Sequence, residues 1–334
     1  MKRIIVGFIL LMMVLAGCTP RELTGEEKAV LYTAAAETIG AQLTSDFEKI
    51  PTATETPIPP TPEPTATETL TPVPTLSPTP SWAKVGPGEI DALILMYNSV
   101  ANSADDDPFY QWESNSFIKV EDFKYQLKTL KDAGYSSISI SRLTDAILLG
   151  TEMPPQPVVF TFETSRKNLY NIVFPLMKEY GFTGTIFLVQ DYHNGKNMAT
   201  AEQIQEMVDA GWEIGSRGKT SSDLTKDGLN LGEEISGSKL FFEEKYGVPV
   251  IVFSYPGGAS NEGVISRVAQ WGYRGAVGFF KSTKYSMANL YYMPRFEVFN
   301  TWTDADFFNI LPWKPLNVPV RDAAVPTATA TVAP

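Results

Sequence analysis

The sequence predicts an α/β domain built on a parallel sheet, with the length of one strand–helix barrel. Residues 85–320 alternate short apolar strands with amphipathic helices, and glycines follow most of the helices. Strand, helix and strand at this spacing are typical of right-handed crossovers between parallel strands. An open doubly wound sheet is the alternative, although no Gly-x-Gly-x-x-Gly run follows the first strand.

The strand from Pro157 is the element around which the domain is organised. Its apolar residues Val158, Val159, Phe160 and Phe162 predict a strand that is buried on both faces. The polar residues Glu163, Thr164 and Ser165 follow it directly. In strand–helix barrels chemistry collects at the C-terminal ends of the strands, so these side chains are candidate site residues. A second interpretation stays open, in which Thr164 or Ser165 caps the next helix.

The remaining elements follow from apolar periodicity and from cap residues. The predicted strands are Leu93–Tyr97, Ile138–Ile140, Thr185–Val189, Glu213–Ser216, Val250–Tyr255, Gly275–Val277 and Arg295–Val298. The predicted helices are Val120–Ala133, Ser141–Leu149 with Ser141 as its cap, Leu169–Tyr180, a helix ending at Ala210, Gly232–Tyr246 and Glu262–Trp271. We also expect a kink or break at Pro175, and a capping box formed by Thr200 and Gln203.

The N-terminus is typical of a targeting segment. Residues 1–17 combine a basic start with a short apolar run, and they lead into Cys18, the only cysteine of the chain. Leu15–Cys18 resembles a bacterial lipobox, which implies cleavage before Cys18 and lipidation of its side chain. We therefore expect an extracytoplasmic protein held by lipid at the bacterial cell membrane. An ordinary secretory signal is the alternative, and a single cysteine excludes an internal disulfide in either case.

Low-complexity segments flank the predicted domain. Residues 18–50 contain an alanine-rich stretch suited to a short helical spacer, and residues 51–84 consist largely of Pro, Thr, Glu, Ser and Ala. Such a composition cannot bury apolar area, so we expect a disordered, polyproline-like linker that reaches up to about 90 Å. Residues 321–334 are a similar tail. The formal net charge of -11 disfavours a nucleic-acid partner, and we expect a monomer.

Six motifs in order make the domain resemble the polysaccharide deacetylase family, also called the NodB homology domain. They are Leu95–Val100, Phe123–Tyr135, Pro157–Ser165, Ala210–Ser216, Phe253–Gly258 and Met293–Phe296. Members of this family remove acetyl groups from amino sugars in peptidoglycan, chitin and poly-N-acetylglucosamine. The resemblance implies a distorted, incomplete (β/α) barrel of the TIM type and a polysaccharide or peptidoglycan glycan as partner.

The residues that the family uses for catalysis are altered here. Family members have a catalytic aspartate at the position of Glu163, and they hold a divalent metal such as zinc with residues at the positions of Thr164, Arg217 and Ser221. Two hydroxyl groups and a guanidinium cannot replace those ligands. Asn98 likewise stands where many relatives have a histidine. We therefore expect no metal cofactor and a catalytically degenerate domain.

The chemistry explains why this loss matters. A bound metal brings the pKa of water from 15.7 to about 7, a shift of about 12 kcal/mol at most, whereas a general base such as Glu163 contributes about 10² to 10⁴ in rate. Our preferred hypothesis is that Arg217 occupies the metal position and pairs with Glu163. A replacement metal site is the alternative, and its candidate oxygen ligands are Glu163, Asp191, Glu213 and Asp223.

Several residues could form a groove at the barrel mouth. The resemblance places Asn98, Tyr255, Pro256, Gly257 and Arg295 around it, with Arg295 also a candidate partner for carboxylates beneath the mouth.

Aromatic residues in the loop after the first strand are candidates for stacking on sugar rings, above all Tyr110 and Trp112, with Phe109 and Phe117 beside them. The alternative is that they pack as a lid over the mouth.

Three functions follow for the whole chain. The first is a membrane-anchored, non-catalytic module that binds a cell-envelope or environmental glycan. The second is an active deacetylase that hydrolyses the N-acetyl amide of amino-sugar polysaccharides. The third is a structural lipoprotein without a ligand. The single histidine, His193, lies in a polar loop, where we expect it to be solvated.

Overall fold

A computed structural model describes residues 81–110 and 115–315 of the chain. The predicted signal peptide, the lipidation site Cys18, most of the Pro/Thr-rich linker, the C-terminal tail and the loop residue Trp112 lie outside the described residues.

The core of the domain is one parallel sheet of eight strands. These are β1 (Leu93–Tyr97), β2 (Ser136–Ser137), β3 (Pro157–Phe162), β4 (Gly184–Leu188), β5 (Glu213–Ser216), β6 (Val252–Ser254), β7 (Gly275–Val277) and β8 (Phe296–Glu297). The strand order is β7-β6-β5-β4-β3-β1-β8, and β2 pairs with the start of β3. Strand β3 is buried along its whole length, as its apolar run predicts.

The sheet curls so that its two edges approach each other. Met293 pairs with Val277 of edge strand β7, and three residues later the chain enters edge strand β8. The backbone N–H of Met293 donates to the carbonyl of Ala276 over 2.8 Å, and the N–H of Gly278 donates back to Met293 over 2.9 Å. The predicted incomplete barrel is therefore confirmed, and the open doubly wound alternative is not.

Helices cover the outer face of this barrel. They are α1 (Val120–Asp132), α2 (Ile140–Leu148), α3 (Phe174–Tyr180), α4 (Ala201–Asp209), α5 (Ser238–Tyr246), α6 (Glu262–Gln270) and α7 (Asp304–Ile310). Wider π-helical turns, Leu169–Val173 and Gly232–Gly237, lead into α3 and α5. The π-helical turn Leu169–Val173 gives way to the α-helix at Phe174, directly before Pro175. The predicted helix is therefore divided at Pro175, as expected. The capping box of Thr200 and Gln203 is present at the start of α4.

One predicted strand and its adjoining cap were misplaced. The strand lies at Ser136–Ser137 rather than at Ile138–Ile140, and α2 begins at Ile140. Ser139, not Ser141, is the cap, because its hydroxyl accepts from the N–H of Arg142 over 3.1 Å.

Three short two-stranded ladders complete the structure around the barrel. They are Ala83–Lys84 with Glu152–Met153, Ile90–Asp91 with Lys284–Tyr285, and Ser99–Val100 with Phe117–Ile118. In the described ranges, no helix has both the length and the apolar character needed to cross a membrane.

Candidate functional site

The C-terminal ends of the parallel strands bring the predicted site residues to one end of the barrel. Asn98 directly follows β1, Glu163 follows β3, Arg217 follows β5 and Tyr255 follows β6. Because parallel strands run in the same direction, all four residues lie at the same rim. Neither Thr164 nor Ser165 makes a capping hydrogen bond within the described residues, since the helical turn begins after them.

Glu163 is buried at the centre of this rim and is surrounded by donors. Its side chain is 4% exposed and forms an ion pair with Arg295 through Oε1. The hydroxyl of Ser254 lies 3.0 Å from both carboxylate oxygens. The Nε of Arg217 lies 3.0 Å from Oε2. The predicted pair of Glu163 and Arg217 is therefore present in the structure, together with a second arginine.

Arg295 holds the carboxylate from below. Its side chain is 0% exposed, and its Nε donates to the carbonyl of Gly278 over 3.0 Å. Its Nη1 donates to Thr161 and its Nη2 to Ser254, each over 3.2 Å. All three guanidinium nitrogens are thus engaged by protein groups. Arg295 is a core residue that supports Glu163, and the prediction that it lines the groove was wrong.

This environment keeps Glu163 ionised. Burial alone would raise the pKa of its carboxyl group, but the charges of Arg295 and Arg217 outweigh that effect, with hydrogen bonds from Arg295 and Ser254 adding to them. The net result is a pKa below the ordinary value of a glutamate. An effective general base needs a pKa near the working pH and a free lone pair. Glu163 has neither a raised pKa nor an unengaged carboxylate oxygen.

Arg217 is less enclosed than Arg295. Its side chain is 22% exposed, and its Nη1 donates to the backbone carbonyl of Glu163 over 3.0 Å. Its buried Nε is close to Oε2 of Glu163 but makes no directed hydrogen bond, so that contact is an ionic one. The guanidinium is therefore fixed along one side and open toward the rim.

The residues at this position do not fit the divalent metal that the resemblance implies. The carboxylate of Glu163 is already occupied by two guanidinium groups, and the side chains of Thr164, Arg217 and Ser221 supply hydroxyls and a fixed positive charge. A divalent cation at this position would be repelled by the nearby guanidinium charge, and neutral hydroxyls are weak ligands that do not offset this repulsion.

The alternative oxygen ligands are not assembled either. Glu213 opens β5 at the opposite end of the barrel, where it accepts from the N–H groups of Ile140 and Ser141 and from the hydroxyl of Thr185. Its enclosure raises the pKa of its carboxyl group, although these hydrogen bonds oppose the shift. Across residues 81–110 and 115–315, no three His, Cys, Asp or Glu side chains are grouped to hold a metal ion.

Glu297 is a site residue that the sequence analysis missed. The side chain of Asn98 donates to its carboxylate over 2.8 Å, and Glu297 lies within electrostatic range of Arg295 and Glu163. Burial raises the pKa of Glu297, although the hydrogen bond from Asn98 and the charge of Arg295 oppose this shift. The available signal was the two-residue spacing from Arg295, because alternate residues of a strand share one face.

Only part of the predicted groove wall is exposed to solvent. Tyr255 is 0% exposed, its hydroxyl donates to the carbonyl of Tyr291, and its ring stacks on Tyr292 at 5.7 Å. Pro256 is also buried, whereas Gly257 is exposed. The wall assignment therefore does not hold for the side chains of Tyr255 and Pro256, because both pack inward. Asn98 and Gly257 remain candidates for contact with a ligand.

The loop after β1 packs down as a lid where it is described. The ring of Tyr110 contacts that of Phe117 at 4.9 Å, and Phe117 is buried. Arg166 lies over the ring of Phe109 at 4.8 Å and pairs with Asp107 over 3.1 Å. These contacts favour the packed alternative for Tyr110 over a free stacking surface.

A different aromatic side chain is presented at the rim. Phe280 lies three residues after β7 and is 73% exposed, with a positive φ of 81° that bulky residues rarely adopt. Its ring lies 5.9 Å from that of Tyr292. The neighbouring ring of Phe279 packs so tightly on Gly258 that a Cβ there would lie 1.8 Å away. Sequence periodicity gave no signal for Phe280, because it lies in an irregular loop.

His193 is not the solvated residue that its polar loop suggested. Its Nε2 lies 2.8 Å from the hydroxyl of Tyr246, and its ring contacts Phe241 and Phe242 of α5. Partial burial lowers the pKa of the imidazole, and the charge of Lys245 acts in the same direction. This histidine therefore serves in packing α5.

Comparisons with known proteins agree with the fold and the motifs. Residues 150–276 match the family model for polysaccharide deacetylase. The Bacillus subtilis protein YxkH, assigned to the polysaccharide deacetylases, is 26% identical over 185 residues, which cover 54% of this chain and 62% of that relative. The poly-beta-1,6-N-acetyl-D-glucosamine N-deacetylase of Staphylococcus epidermidis is 22% identical over 202 residues, which cover 56% of this chain and 69% of that enzyme.

Solved structures share the fold. The deacetylase PplD of Streptococcus pyogenes, determined in complex with acetate, superposes with a TM-score of 0.61 at 21% identity, over 66% of this chain and 98% of PplD. Protein BA0330 of Bacillus anthracis superposes with a TM-score of 0.58 at 25% identity, over 67% of this chain and 69% of that protein. Residues 150–276 therefore match a polysaccharide deacetylase domain, and the curled parallel sheet shows that the folded part of this chain has the polysaccharide deacetylase fold.

Proposed function

We propose that this chain is a non-catalytic member of its family that binds a glycan at the barrel mouth while lipid on Cys18 anchors it outside the cytoplasm. The observation that carries the proposal is the double ion pair of Glu163 with Arg217 and Arg295. Glu163, at the position of the family's catalytic base, is thereby part of a structural cluster of charged side chains. A carboxylate committed to two cations does not abstract a proton from water at a useful rate.

The loss of metal ligands leads to the same conclusion. Amide hydrolysis requires a nucleophilic water molecule, which a bound metal generates by lowering the pKa of the water. A general base without the metal accelerates the reaction only by a factor of about 10² to 10⁴. Thr164, Arg217 and Ser221 supply no ligand set for that purpose. The domain keeps the scaffold of the family without the groups that drive its reaction.

Glycan binding is supported by what the rim still offers. Phe280 exposes an aromatic face, and such faces pack well on the apolar side of sugar rings. Its positive φ strains the backbone. Such strain persists only where surrounding contacts enforce it, and it is common at binding sites. The Staphylococcus epidermidis relative is named for a polymer of N-acetylglucosamine, which makes amino-sugar polymers the first ligands to test.

The anchoring part of the proposal comes from the sequence alone. Cys18 follows the apolar targeting segment, and residues 51–84 would separate the domain from the lipid as an extended tether. Such an arrangement would hold the rim within reach of cell-envelope polymers. Labelling of the expressed chain with a fatty-acid analogue, lost in Cys18→Ser, tests this part separately.

Two assays on the purified full chain separate the proposal from active deacetylation. We expect co-sedimentation with insoluble chitin or peptidoglycan, and no acetate release from acetylated chito-oligomers in the presence of zinc or cobalt. Acetate release that disappears in Glu163→Gln would overturn the non-catalytic assignment. Failure to sediment with either polymer would instead favour a structural lipoprotein.

Replacing Phe280 with glycine should separate binding from stability. Glycine adopts the φ of 81° without strain, so we expect the free energy of unfolding to stay constant or rise by about 1 kcal/mol. Loss of the ring should weaken glycan binding by a factor of about two to ten, the equivalent of about 0.5–1.5 kcal/mol of aromatic contact. Binding isotherms and urea denaturation measure the two effects.

The control for this variant is Leu240→Ala. Leu240 is 62% exposed on the outer helix α5, so the substitution also removes an exposed apolar side chain. We expect it to leave glycan binding unchanged. Equal binding by Phe280→Gly and the parent chain would show that the aromatic ring is not part of the binding surface.

A further inference from the structure

We infer that the barrel mouth recognises a carboxylate group on an acidic glycan, and that Arg217 is the residue that binds it. This inference rests on the proposed glycan-binding function and specifies the chemical class of the ligand. It follows from the state of the Arg217 guanidinium, from the charge balance around it and from its position at the rim.

The guanidinium of Arg217 is held in place but not saturated. Nη1 donates to the carbonyl of Glu163 over 3.0 Å, and Nε is fixed by the ionic contact with Oε2 of the same residue. Nη2 forms no hydrogen bond or ion pair to any residue within the described ranges, and Nε lacks a directed hydrogen bond. A pre-positioned guanidinium with donors to spare loses little conformational freedom when it binds a planar anion.

The charge around Glu163 favours an anion. Two arginines face one ionised carboxylate at the centre of the rim. A further acid, Glu297, lies within electrostatic range, and its carboxylate accepts a hydrogen bond from Asn98. The open side of the Arg217 guanidinium therefore presents positive charge to solvent, which opposes a metal cation and attracts a carboxylate.

The location makes this charge available to a polymer. Arg217 lies at the C-terminal end of β5 with 22% of its side chain exposed, whereas Arg295 is completely buried. Thr164, which follows the carbonyl bound by Arg217, and Ser221 are partly exposed, and their hydroxyls make no hydrogen bond within the described part of the chain. A guanidinium is suited to the acid group of a sugar acid such as a uronic acid, and neutral hydroxyls in the segments that follow β3 and β5 are suited to its hydroxyls.

Calorimetric titration of the full chain with three oligosaccharides tests the inference. The probes are an oligogalacturonate, the same oligomer fully methyl-esterified, and a neutral chito-oligomer. We expect the acidic oligomer to bind about tenfold to a hundredfold more tightly than its ester, and added salt to reduce this preference. Titration with a poly(glycerol phosphate) separates carboxylates from phosphodiesters, and a preference for the phosphate polymer would overturn the carboxylate assignment.

Matched arginine variants assign the effect to one residue. Arg217→Gln should lose the preference for the acid over the ester, and Arg217→Lys should keep part of it, because the charge remains but the planar fork does not. Arg267→Gln makes the same chemical change at an exposed position on α6 and should bind like the parent. Thermal melts report whether each variant is folded.

The outcomes separate this inference from the function on which it rests. Equal binding of acid, ester and chito-oligomer, unchanged in Arg217→Gln, would overturn the acidic-glycan assignment and leave glycan binding in place. No binding of any oligomer, together with no sedimentation on insoluble polymers, would overturn both. If Arg217→Gln does not fold, the comparison of acid and ester on the parent chain still decides the ligand class.

Discussion

Replacing Arg295 with glutamine is expected to lower the free energy of unfolding by about 3–5 kcal/mol, the usual cost of breaking a buried ion pair from one side. The side chain of Arg295 is 0% exposed, so it is the more deeply buried of the two cationic partners of Glu163. Without its guanidinium, the enclosed carboxylate keeps only Arg217 and the hydroxyl of Ser254. Urea denaturation followed by circular dichroism measures the loss.

Two comparisons show whether the buried charge is the cause. Arg217→Gln removes the partly exposed partner and should cost less than Arg295→Gln, since the carboxylate keeps its buried ion pair with Arg295 and the hydrogen bond from Ser254. The double variant Glu163→Gln/Arg295→Met should recover much of the stability, because it leaves no unpaired charge in the core. Additive losses for Glu163→Gln and Arg295→Gln, with no coupling between them, would contradict this explanation.

The sequence was sufficient to predict the centre of the site. The apolar run before Glu163 defined β3, and the direction of parallel strands then placed Glu163 and Arg217 at the same rim. A carboxylate predicted to be buried requires a cation, and Arg217 was a candidate at a position implied by the family. The pairing followed from the cost of burying charge, which is a local argument.

The depth of the second arginine does not follow from the sequence. Arg295 directly precedes β8, a strand of only two residues, so alternation places Arg295 and Glu297 on one face without indicating how deeply that face is buried. Its burial depends on Gly278, Thr161 and Ser254, which come from three other parts of the chain. Such a cluster is set by tertiary packing and has no sequence period.

The rim aromatics show a similar limit. Sequence composition drew attention to Tyr110 and Trp112, because they lie in an aromatic-rich loop after the first strand. Exposure of Phe280 instead results from a backbone turn with positive φ, and a Phe residue does not normally predict such a turn. Local propensity therefore pointed away from the side chain that the fold presents to solvent.

The triple variant Thr164→Asp/Arg217→His/Ser221→His is expected to convert the charge cluster into a zinc site. The family resemblance places its three metal ligands at these positions, and the substitutions supply a carboxylate and two imidazoles while removing one fixed cation. Ser221 has a φ of 64°, a conformation that histidine tolerates better than most residues. We expect about one zinc per chain after dialysis, compared with none above background in the parent.

Zinc should also stabilise the triple variant selectively. A ligand that binds only the folded state at a hundred times its dissociation constant adds about 2.7 kcal/mol, which corresponds to an increase of about 5–11 °C in melting temperature for a domain of this size. Thr164→Asn/Arg217→His/Ser221→His is the matched control, since it introduces both imidazoles without the carboxylate and should bind zinc at least about tenfold more weakly. Stoichiometric zinc in the parent chain would contradict the conclusion that Arg217 and the two hydroxyls exclude a metal. A folded triple variant that binds no zinc would show that these three positions no longer face a common point, and that the site has diverged in backbone geometry as well as in residue type.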